Sequence, residues 1–420
     1  MMATTVCDEQ LALFGGPQTI TGDLKAAGER RPVTDWARRK IMETIDARGM
    51  ALSSAPIVRE FEQAFAQYTG SPYCISVNNG TAAIRAALWA CGVGPGDEVI
   101  TTSYTCWPTT MPIVGLGAKA VFADIEADTL TLDPADVRRR ITPKTKAVIV
   151  VHMVGLPADL DPLVALCKEH SLHLIEDCCL APGARYHGRH VGTFGTFGAF
   201  SMQAGKALPS GEGGLLIGND HERFEAAIAH GDCPNKHPLS ERWTKYGRSA
   251  VGGVKHRLNT LSAILCYDSL KTLDEYLAQT QERVLRFQEG VLGLPGLSVP
   301  RIPADSQTIY YYNTFLYDAR ETGVSMHPVV DALRAEGIGI PRHAHEYMTQ
   351  HAHSFFVERG SDPDALPIAG SCTDRVMQLP RLTYADDALI EECVQAFHKV
   401  WSNLDRLRDA PLPPVAFRSR

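Results

Sequence analysis

The sequence lacks the features that mark nucleic-acid-binding and membrane proteins. Its formal net charge is -7 over 420 residues and it has no basic stripe or long polybasic run, so nothing predicts a nucleic-acid partner or an anionic membrane surface. No segment approaches the roughly 20 apolar residues of a membrane span. The N-terminus has no basic stretch followed by a long apolar one. We therefore expect a cytoplasmic protein whose partners are small molecules.

Disulfide and metal frameworks are also missing. The eleven cysteines are an odd number scattered through apolar contexts, and no Cys-x-x-Cys pair occurs. This usage favours a reduced compartment and no structural zinc. Four histidines crowd between Arg342 and Ser354, but no thiol or acidic partner stands in register with them. We interpret them as a polar loop or a wall facing the substrate, and we predict no metal site.

Several common catalytic motifs are absent. The sequence has no Gly-x-Gly-x-x-Gly after a first strand, no P-loop and no Gly-x-Ser-x-Gly. These absences remove the easiest routes to a nicotinamide enzyme, a nucleotidase or a serine hydrolase. A chain of 420 residues that is 45% hydrophobic is nevertheless long enough for a large core and two domains.

Short apolar runs alternate with helical patterns in the first two thirds of the chain. After a short strand at Tyr73 to Val77, the runs are Glu98 to Thr102, Ala118 to Asp124, Ala147 to Val151, Leu172 to Asp177, Phe197 to Met202 and Gly214 to Gly218. Apolar strands with helical crossovers predict an α/β fold with a mainly parallel sheet covered on both faces. We divide the chain into an N-terminal arm (1–32), a large domain (33–268) and a small C-terminal domain (269–420) that includes a linking helix.

Three chemical signals follow strands of this predicted sheet. Lys206 follows one apolar run, Asp177 ends another, and Gly80 and Thr81 begin a helix after a third. Each alone has an ordinary explanation: a surface lysine, a structural cap and a common helix start. Together they match pyridoxal phosphate, which needs a lysine for its Schiff base, an acid for its ring nitrogen and a helix N-terminus for its phosphate.

Four longer stretches carry a family resemblance. They are Val77 to Thr105, Val151 to Leu163, Ile175 to Gly214 and Gly252 to Leu265. These stretches resemble the pyridoxal-phosphate aminotransferases of the DegT/DnrJ/EryC1/StrS group, which aminate keto-sugars and keto-cyclitols. The resemblance implies fold type I, with a mainly parallel central sheet, helices on both faces and a smaller α+β C-terminal domain. It also implies a homodimer with two shared active sites.

The resemblance assigns roles to individual residues. Lys206 would form the Schiff base and move protons, and Asp177 would hold the pyridine nitrogen. Gly80, Thr81 and Ser201 would bind the phosphate. A loop of the second subunit would reach the same phosphate, and here that loop is Gly252 to Asn259.

This sequence departs from the family pattern at three places. Leu180 stands where relatives carry Gln or His against the cofactor ring. Cys106 stands in register with an aromatic residue that stacks on the ring, and we expect the neighbouring Trp107 to stack instead. Lys255 replaces an Asn of the partner loop; it would be a stronger phosphate ligand by charge, or else it is a surface cation.

The resemblance implies transfer of an amino group from glutamine, glutamate or alanine to a keto-cyclitol or keto-sugar, in the biosynthesis of an aminoglycoside-like secondary metabolite. The length and the opening Leu11 to Pro17 look more like the cyclitol branch. A lyase or dehydratase with the same cofactor is the first alternative, although a histidine replaces the lysine in such relatives. A non-catalytic binding or regulatory protein is the second. Tyr310 to Tyr312 and the His343/His345 loop either shape the substrate pocket or are core aromatics and a solvated loop.

Overall fold

A seven-stranded sheet organises the larger part of the chain. The computed structural model describes residues 10–28, 31–48, 55–231, 237, 239–246, 251–340 and 349–408. The strands are Tyr73–Val77 (β1), Glu98–Thr102 (β2), Lys119–Ala123 (β3), Thr145–Val151 (β4), His173–Asp177 (β5), Arg185–Tyr186 (β6), Arg189–His190 (β7), Phe197–Ser201 (β8), Gly214–Gly218 (β9), Leu297–Ser298 (β10), Asn313–Tyr317 (β11) and Val376–Leu379 (β12).

The strand order of the large sheet is β1-β9-β8-β5-β4-β2-β3. Neighbouring strands are parallel except at β9, which runs antiparallel to both β1 and β8. The predicted mainly parallel α/β sheet is therefore confirmed. Strands β6 and β7 form a separate hairpin, and β10, β11 and β12 form a small antiparallel sheet.

Helices connect these strands. The helices are Leu24–Ala27 (α1), Asp35–Asp46 (α2), Pro56–Thr69 (α3), Gly80–Ala90 (α4), Trp107–Gly115 (α5), Pro134–Arg140 (α6), Leu160–Glu169 (α7), His221–Gly231 (α8), Glu241–Thr244 (α9), Thr260–Leu270 (α10), Leu273–Val291 (α11), Ala319–Thr322 (α12), Met326–Ala335 (α13), Ser354–Val357 (α14), Pro367–Arg375 (α15), Asp387–Trp401 (α16) and Leu404–Arg408 (α17), with 3₁₀ turns at Ala12–Phe14, Met153–Gly155 and Gln350–Ala352. Among the described residues, none of these helices combines the length and the hydropathy needed to cross a membrane.

The large sheet is buried on both faces, as the continuous apolar runs predict. Successive side chains of a strand point to opposite faces. In β4, Val148 and Val150 belong to one apolar cluster, whereas Ala147 and Ile149 belong to another. All four are fully buried. The first cluster includes residues of α2, α3, α7 and α10, and the second includes residues of α4 and α8.

A second core surrounds the small sheet. Phe287 of α11, Phe315 of β11 and Phe397 of α16 are fully buried and contact one another through their rings. Leu11 and Ile20 of the N-terminal segment belong to the same core. The amide of Ile20 also donates to the carbonyl of residue 336 at 3.0 Å. The segment treated as an arm therefore packs on the C-terminal part of the chain.

The division into domains stays a prediction. The expected boundary at 268/269 falls in the last turn of α10, which ends at Leu270, and α11 begins at Leu273. The run Tyr310 to Tyr317 predicts a strand from its sequence, and the structure has a shorter one, β11, at Asn313–Tyr317. Tyr310 has φ +49°, a left-handed conformation that no strand residue adopts, and this turn starts the strand later.

Candidate active site

Three chain segments meet at one edge of the large sheet. Strands β1, β5 and β8 all run in the same direction, since β5 is parallel to β8 and both β1 and β8 are antiparallel to β9. Their carboxyl ends therefore lie side by side, at the edge where open α/β sheets bind ligands. Asp177 ends β5, Ser201 ends β8, and Gly80 begins α4 three residues after the end of β1. The structure thus brings these three predicted residues together.

The start of α4 is packed so tightly that only glycine fits. A Cβ atom on Gly80 would lie 2.6 Å from Sγ of Cys179 and 3.0 Å from Cβ of Ser201. Asn79 caps the helix, accepting a hydrogen bond at its Oδ1 from the amide of Ala82 at 2.8 Å. The amides of the first helical residues, Gly80 and Thr81, have no partner within the helix. This eleven-residue helix therefore presents amide donors and a dipole to the sheet edge, where a phosphate would be bound.

Asp177 is a buried carboxylate held in a fixed orientation. Its side chain is only 4% exposed. Oδ2 accepts a hydrogen bond from Oγ1 of Thr109 at 2.8 Å, and Oδ1 accepts one from the amide of Cys179 at 3.0 Å. Oγ1 of Thr105 lies 2.7 Å from that of Thr109. Among the described residues, no Lys, Arg or His forms an ion pair with Asp177, so this buried anion suits a cationic ligand atom such as a protonated pyridine nitrogen.

Lys206 lies in the turn that follows β8. Its amide donates to the carbonyl of Gln203 at 2.8 Å, and its Nζ lies 4.9 Å from the centre of the Tyr311 ring. Its charge also acts on the thiols of Cys106 and Cys179. Lys206 and Asp177 are thus both within electrostatic reach of these two thiols.

Cys106 and Trp107 occupy different environments at the start of α5. Burial raises the pKa of the Cys106 thiol, which Lys206 and Asp177 influence in opposite directions. The Trp107 side chain is 56% exposed. This geometry favours Cys106 as the residue that faces the pocket, and stacking by Trp107 stays a prediction.

Leu180 belongs to an apolar wall beside the site. It is 8% exposed and packs in a buried cluster with Met153, Val154 and Tyr311. The leucine side chain has no polar atom that could form a hydrogen bond with a cofactor ring. The expected cofactor contact of Leu180 is therefore an apolar one, and it stays a prediction.

Lys255 is exposed in the loop that precedes α10. The loop is anchored beside β1, because the amide of Asn78 donates to the carbonyl of His256 at 3.0 Å and Val77 bridges to Arg257. A contact from Lys255 to the phosphate site of a second subunit stays a prediction. The His343/His345 loop lies outside the described residues.

A buried group of His152, Glu176 and Cys178 has metal-ligand chemistry but a different explanation. Nδ1 of His152 accepts a hydrogen bond from the amide of Ala158 at 3.1 Å, so Nε2 carries the proton and donates to Oε2 of Glu176 at 3.2 Å. The Glu176 oxygens also accept three backbone amides of the loop 192–195 at 2.6–2.8 Å. Glu176 therefore anchors this loop through its own hydrogen bonds.

Sequence reasoning missed three residues of the site. Thr109 and Cys179 fix the Asp177 carboxylate, and Arg381 donates from Nη2 to the carbonyl of Gly205 at 2.8 Å. The position of Cys179, two residues beyond the strand-ending aspartate, was a usable signal. No local pattern connects Thr109 or Arg381 with Asp177 or Lys206.

Comparisons with known proteins show the family of the chain. A sequence profile described as the DegT/DnrJ/EryC1/StrS aminotransferase family matches residues 37–398. The L-glutamine:2-deoxy-scyllo-inosose aminotransferase of Micromonospora echinospora is 34% identical over 369 residues, which are 83% of this chain and 87% of that protein. The spore coat polysaccharide biosynthesis protein SpsC of Bacillus subtilis (strain 168) is 32% identical and covers 87% of this chain and 95% of its own.

Solved structures give the same result for the fold. The crystal structure of DesI in the presence of its TDP-sugar product has a TM-score of 0.82 at 27% sequence identity, covering 95% of this chain and 97% of that one. A structure of 3-amino-5-hydroxybenzoic acid synthase has a TM-score of 0.78 at 27% identity and covers 90% of this chain and 99% of its own.

Proposed function

The chain belongs to the DegT/DnrJ/EryC1/StrS aminotransferase family, and on that premise we propose that it moves an amino group from L-glutamine to a keto-cyclitol. It is a pyridoxal-phosphate-dependent aminotransferase, an enzyme of fold type I. The observation that supports the proposed site is the meeting of Lys206, Asp177 and the Gly80 helix start at one edge of the sheet. The donor and acceptor are proposed because the relative named above for L-glutamine and 2-deoxy-scyllo-inosose matches 83% of this chain.

We propose that the cofactor lies between the start of α4 and Asp177. The amides of Gly80 and Thr81, with the hydroxyl of Ser201, would bind its phosphate. Asp177 would accept a hydrogen bond from its ring nitrogen, since Thr109 and the amide of Cys179 already fix the carboxylate. When bound, pyridoxal phosphate supplies an electron sink that makes the α-proton of an amino acid acidic.

Lys206 would be the proton carrier. Its side chain reaches the pocket from a turn that its own amide and the carbonyl of Gln203 hold in place. Its Nζ lies 4.9 Å from the centre of the Tyr311 ring, within cation–π distance. A primary amine so placed can take the α-proton of the donor and return a proton to the acceptor carbon.

The wall of the pocket limits the access of water. Leu180, Met153 and Tyr311 are each less than 9% exposed. Burial also raises the pKa values of the Tyr311 and Tyr312 phenols. Both phenols therefore stay neutral near pH 7 and can donate hydrogen bonds to substrate hydroxyl or keto groups. This arrangement suits a polyhydroxylated acceptor.

The absorption spectrum of the purified protein tests the proposal. Cofactor-loaded protein is mixed in turn with L-glutamine, L-glutamate and L-alanine, with Lys206→Ala as the control. We expect L-glutamine to convert the cofactor to its pyridoxamine form and to release the matching keto acid, and Lys206→Ala to do neither. Absence of bound cofactor after reconstitution would contradict the site, and a spectrum that no amino acid changes would favour the lyase.

The acceptor is tested from the pyridoxamine form. Protein in that form is offered 2-deoxy-scyllo-inosose and, separately, a TDP-linked keto-sugar. The proposal requires faster recovery of the original spectrum with the cyclitol. Faster recovery with the nucleotide sugar would assign the chain to the acceptor class named for DesI.

We also propose a homodimer in which Lys255 contributes to the site of the partner subunit. Mixing Lys206→Ala with Lys255→Ala protein tests this arrangement. If Lys255 acts across the interface, hybrid dimers contain one site with both lysines intact, and activity returns to about one quarter of the wild-type value after random exchange. No recovery, despite exchange shown by a size or affinity tag, would contradict a shared site.

A further inference from the structure

Arg381 lies beside the reactive lysine although it comes from the small sheet. Strands β11 and β12 are antiparallel with Asn313 opposite Leu379. Continuing that register places Arg381, two residues beyond β12, opposite Tyr311, two residues before β11. The guanidinium carbon lies 5.1 Å from the centre of the Tyr311 ring, and the same ring contacts Nζ of Lys206 at 4.9 Å.

The contacts of Arg381 leave part of its guanidinium group unused. Nη2 donates to the carbonyl of Gly205 at 2.8 Å, and Nη1 donates to the hydroxyl of Tyr276 at 3.2 Å. Arginine has five N–H donors, and these two contacts occupy two of them. Among the described residues, no Asp or Glu forms an ion pair with Arg381, although the side chain is partly buried. A partly buried cation without a counter-charge is a site for an anionic ligand.

We propose that Arg381 binds the α-carboxylate of the amino donor. The inference rests on the proposed function, because an α-amino acid carries its carboxylate one carbon from the amine that reacts. A donor whose amine takes the place of the Lys206 amine would carry its carboxylate into the surroundings of Lys206. Arg381 holds the carbonyl of the residue next to Lys206, and a guanidinium group recognises a carboxylate better than a hydroxyl group or an amide.

Arg31 offers a matched control. Its guanidinium carbon lies 5.0 Å from the ring of Tyr276, the same tyrosine that Arg381 contacts through its hydroxyl. Its own hydrogen bonds go to the carbonyl of Ser269 and the hydroxyl of Thr272, at the junction of α10 and α11. Arg31 is thus a half-buried cation of the same region that does not contact the turn of Lys206.

The test is a comparison of L-glutamine with 4-aminobutanamide, which is glutamine without its carboxylate. Stopped-flow absorbance measures the second-order rate constant of the half-reaction with each donor. The proteins compared are the wild type, Arg381→Gln, Arg381→Lys and Arg31→Gln. We expect Arg381→Gln to reduce the preference for glutamine about 10- to 100-fold, because a charge-assisted hydrogen bond is lost. Arg381→Lys should retain part of the preference, and Arg31→Gln should retain all of it.

A binding measurement distinguishes recognition of the donor carboxylate by Arg381 from an effect of Arg381 on the position of Lys206. Glutaramate, which is glutamine without its amine, is titrated into each cofactor-loaded variant by calorimetry, and its affinity should fall with the same order of variants. If Arg381 only positions Lys206 through Gly205, both donors slow by the same factor and glutaramate binding does not change, which overturns the inference. If wild-type protein reacts with no amino acid, the proposed function fails; if it reacts and Arg381→Gln keeps the preference, only the role of Arg381 fails.

Discussion

Substitution of Gly80 gives the most direct test of the phosphate cradle. In Gly80→Ala, the new Cβ would lie 2.6 Å from Sγ of Cys179 and 3.0 Å from Cβ of Ser201. Overpacking of this kind costs about 1–3 kcal/mol. Alanine in place of a helical glycine returns about 0.5–1 kcal/mol. The clash is the larger effect, so the variant should unfold at a lower temperature.

The second substitution identifies the clashing atom. Cys179→Ala removes the sulfur and so removes the shorter of the two contacts. In this background Gly80→Ala should cost about 1 kcal/mol less, since residues in contact couple by about 0.5–3 kcal/mol. The Ser201 contact persists, and recovery should be partial. Gly94→Ala is the control, because its Cβ would meet nothing within 4 Å.

Two assays compare Gly80→Ala with and without Cys179→Ala. Thermal unfolding of cofactor-free protein measures the effect of packing alone. Titration of the same protein with pyridoxal phosphate measures the effect on the cradle, where we expect Gly80→Ala to bind about 5- to 50-fold more weakly for a loss of about 1–2 kcal/mol. If Gly80→Ala is equally harmful with and without the Cys179 sulfur, the packing argument is wrong. If cofactor affinity does not change at all, Gly80 is not part of the phosphate site.

Three further predictions concern buried polar groups. Thr109→Val removes the hydroxyl that donates to Asp177 and should weaken pyridoxal phosphate binding about 5- to 10-fold with little change in melting temperature, as fluorescence titration and calorimetry would report. In Glu176→Gln, an NH2 donor replaces one of the two oxygens that accept three backbone amides. Chemical denaturation should show that the free energy of unfolding falls by about 2–4 kcal/mol. Burial lowers the pKa of His190 to about 4, below its unfolded value near 6.5, so its contribution to stability is lost as the pH falls through that interval. Urea titrations at pH 7.5 and pH 5 measure the free energy of unfolding. Between these pH values, His190→Phe should lose about 1–2 kcal/mol less of this free energy than the wild type does. An unchanged pH dependence would contradict the assignment.

The strands of the large sheet were predictable because both of their faces are buried. A fully buried strand is a continuous apolar run, and turn residues end it at a definite point. The predicted bounds of β1, β2 and β9 equal those of the structure. The direction of β9 was not predictable, since a strand buried on both faces reads the same in either direction. The connection from β8 to β9 contains no helix, which permits the antiparallel pairing.

The part of the site on the sheet edge was predictable for the same reason. Parallel strands bring their carboxyl ends together, so Asp177 and Ser201 had to be close once both were placed at strand ends. The side chains that orient Asp177 were not predictable. Thr109 lies in the first turn of α5 and reaches the carboxylate only because of where that helix packs on the sheet. Helix packing depends on the whole core, and no local pattern encodes it.

The position of Arg381 depends on the register between β11 and β12, which the sequence does not reveal. Tyr311 and Arg381 are opposite one another because β11 and β12 pair antiparallel with Asn313 opposite Leu379. Shifting this pairing by one residue would turn every side chain of β12 to the other face. The Arg381 guanidinium would then leave both the Tyr311 ring and the Gly205 carbonyl. The register is fixed by the buried residues of the second core, among them Phe315 and Met377. In the proposed site, binding of the donor beside Lys206 would therefore depend on the packing of the second core, to which Phe315 and Met377 belong.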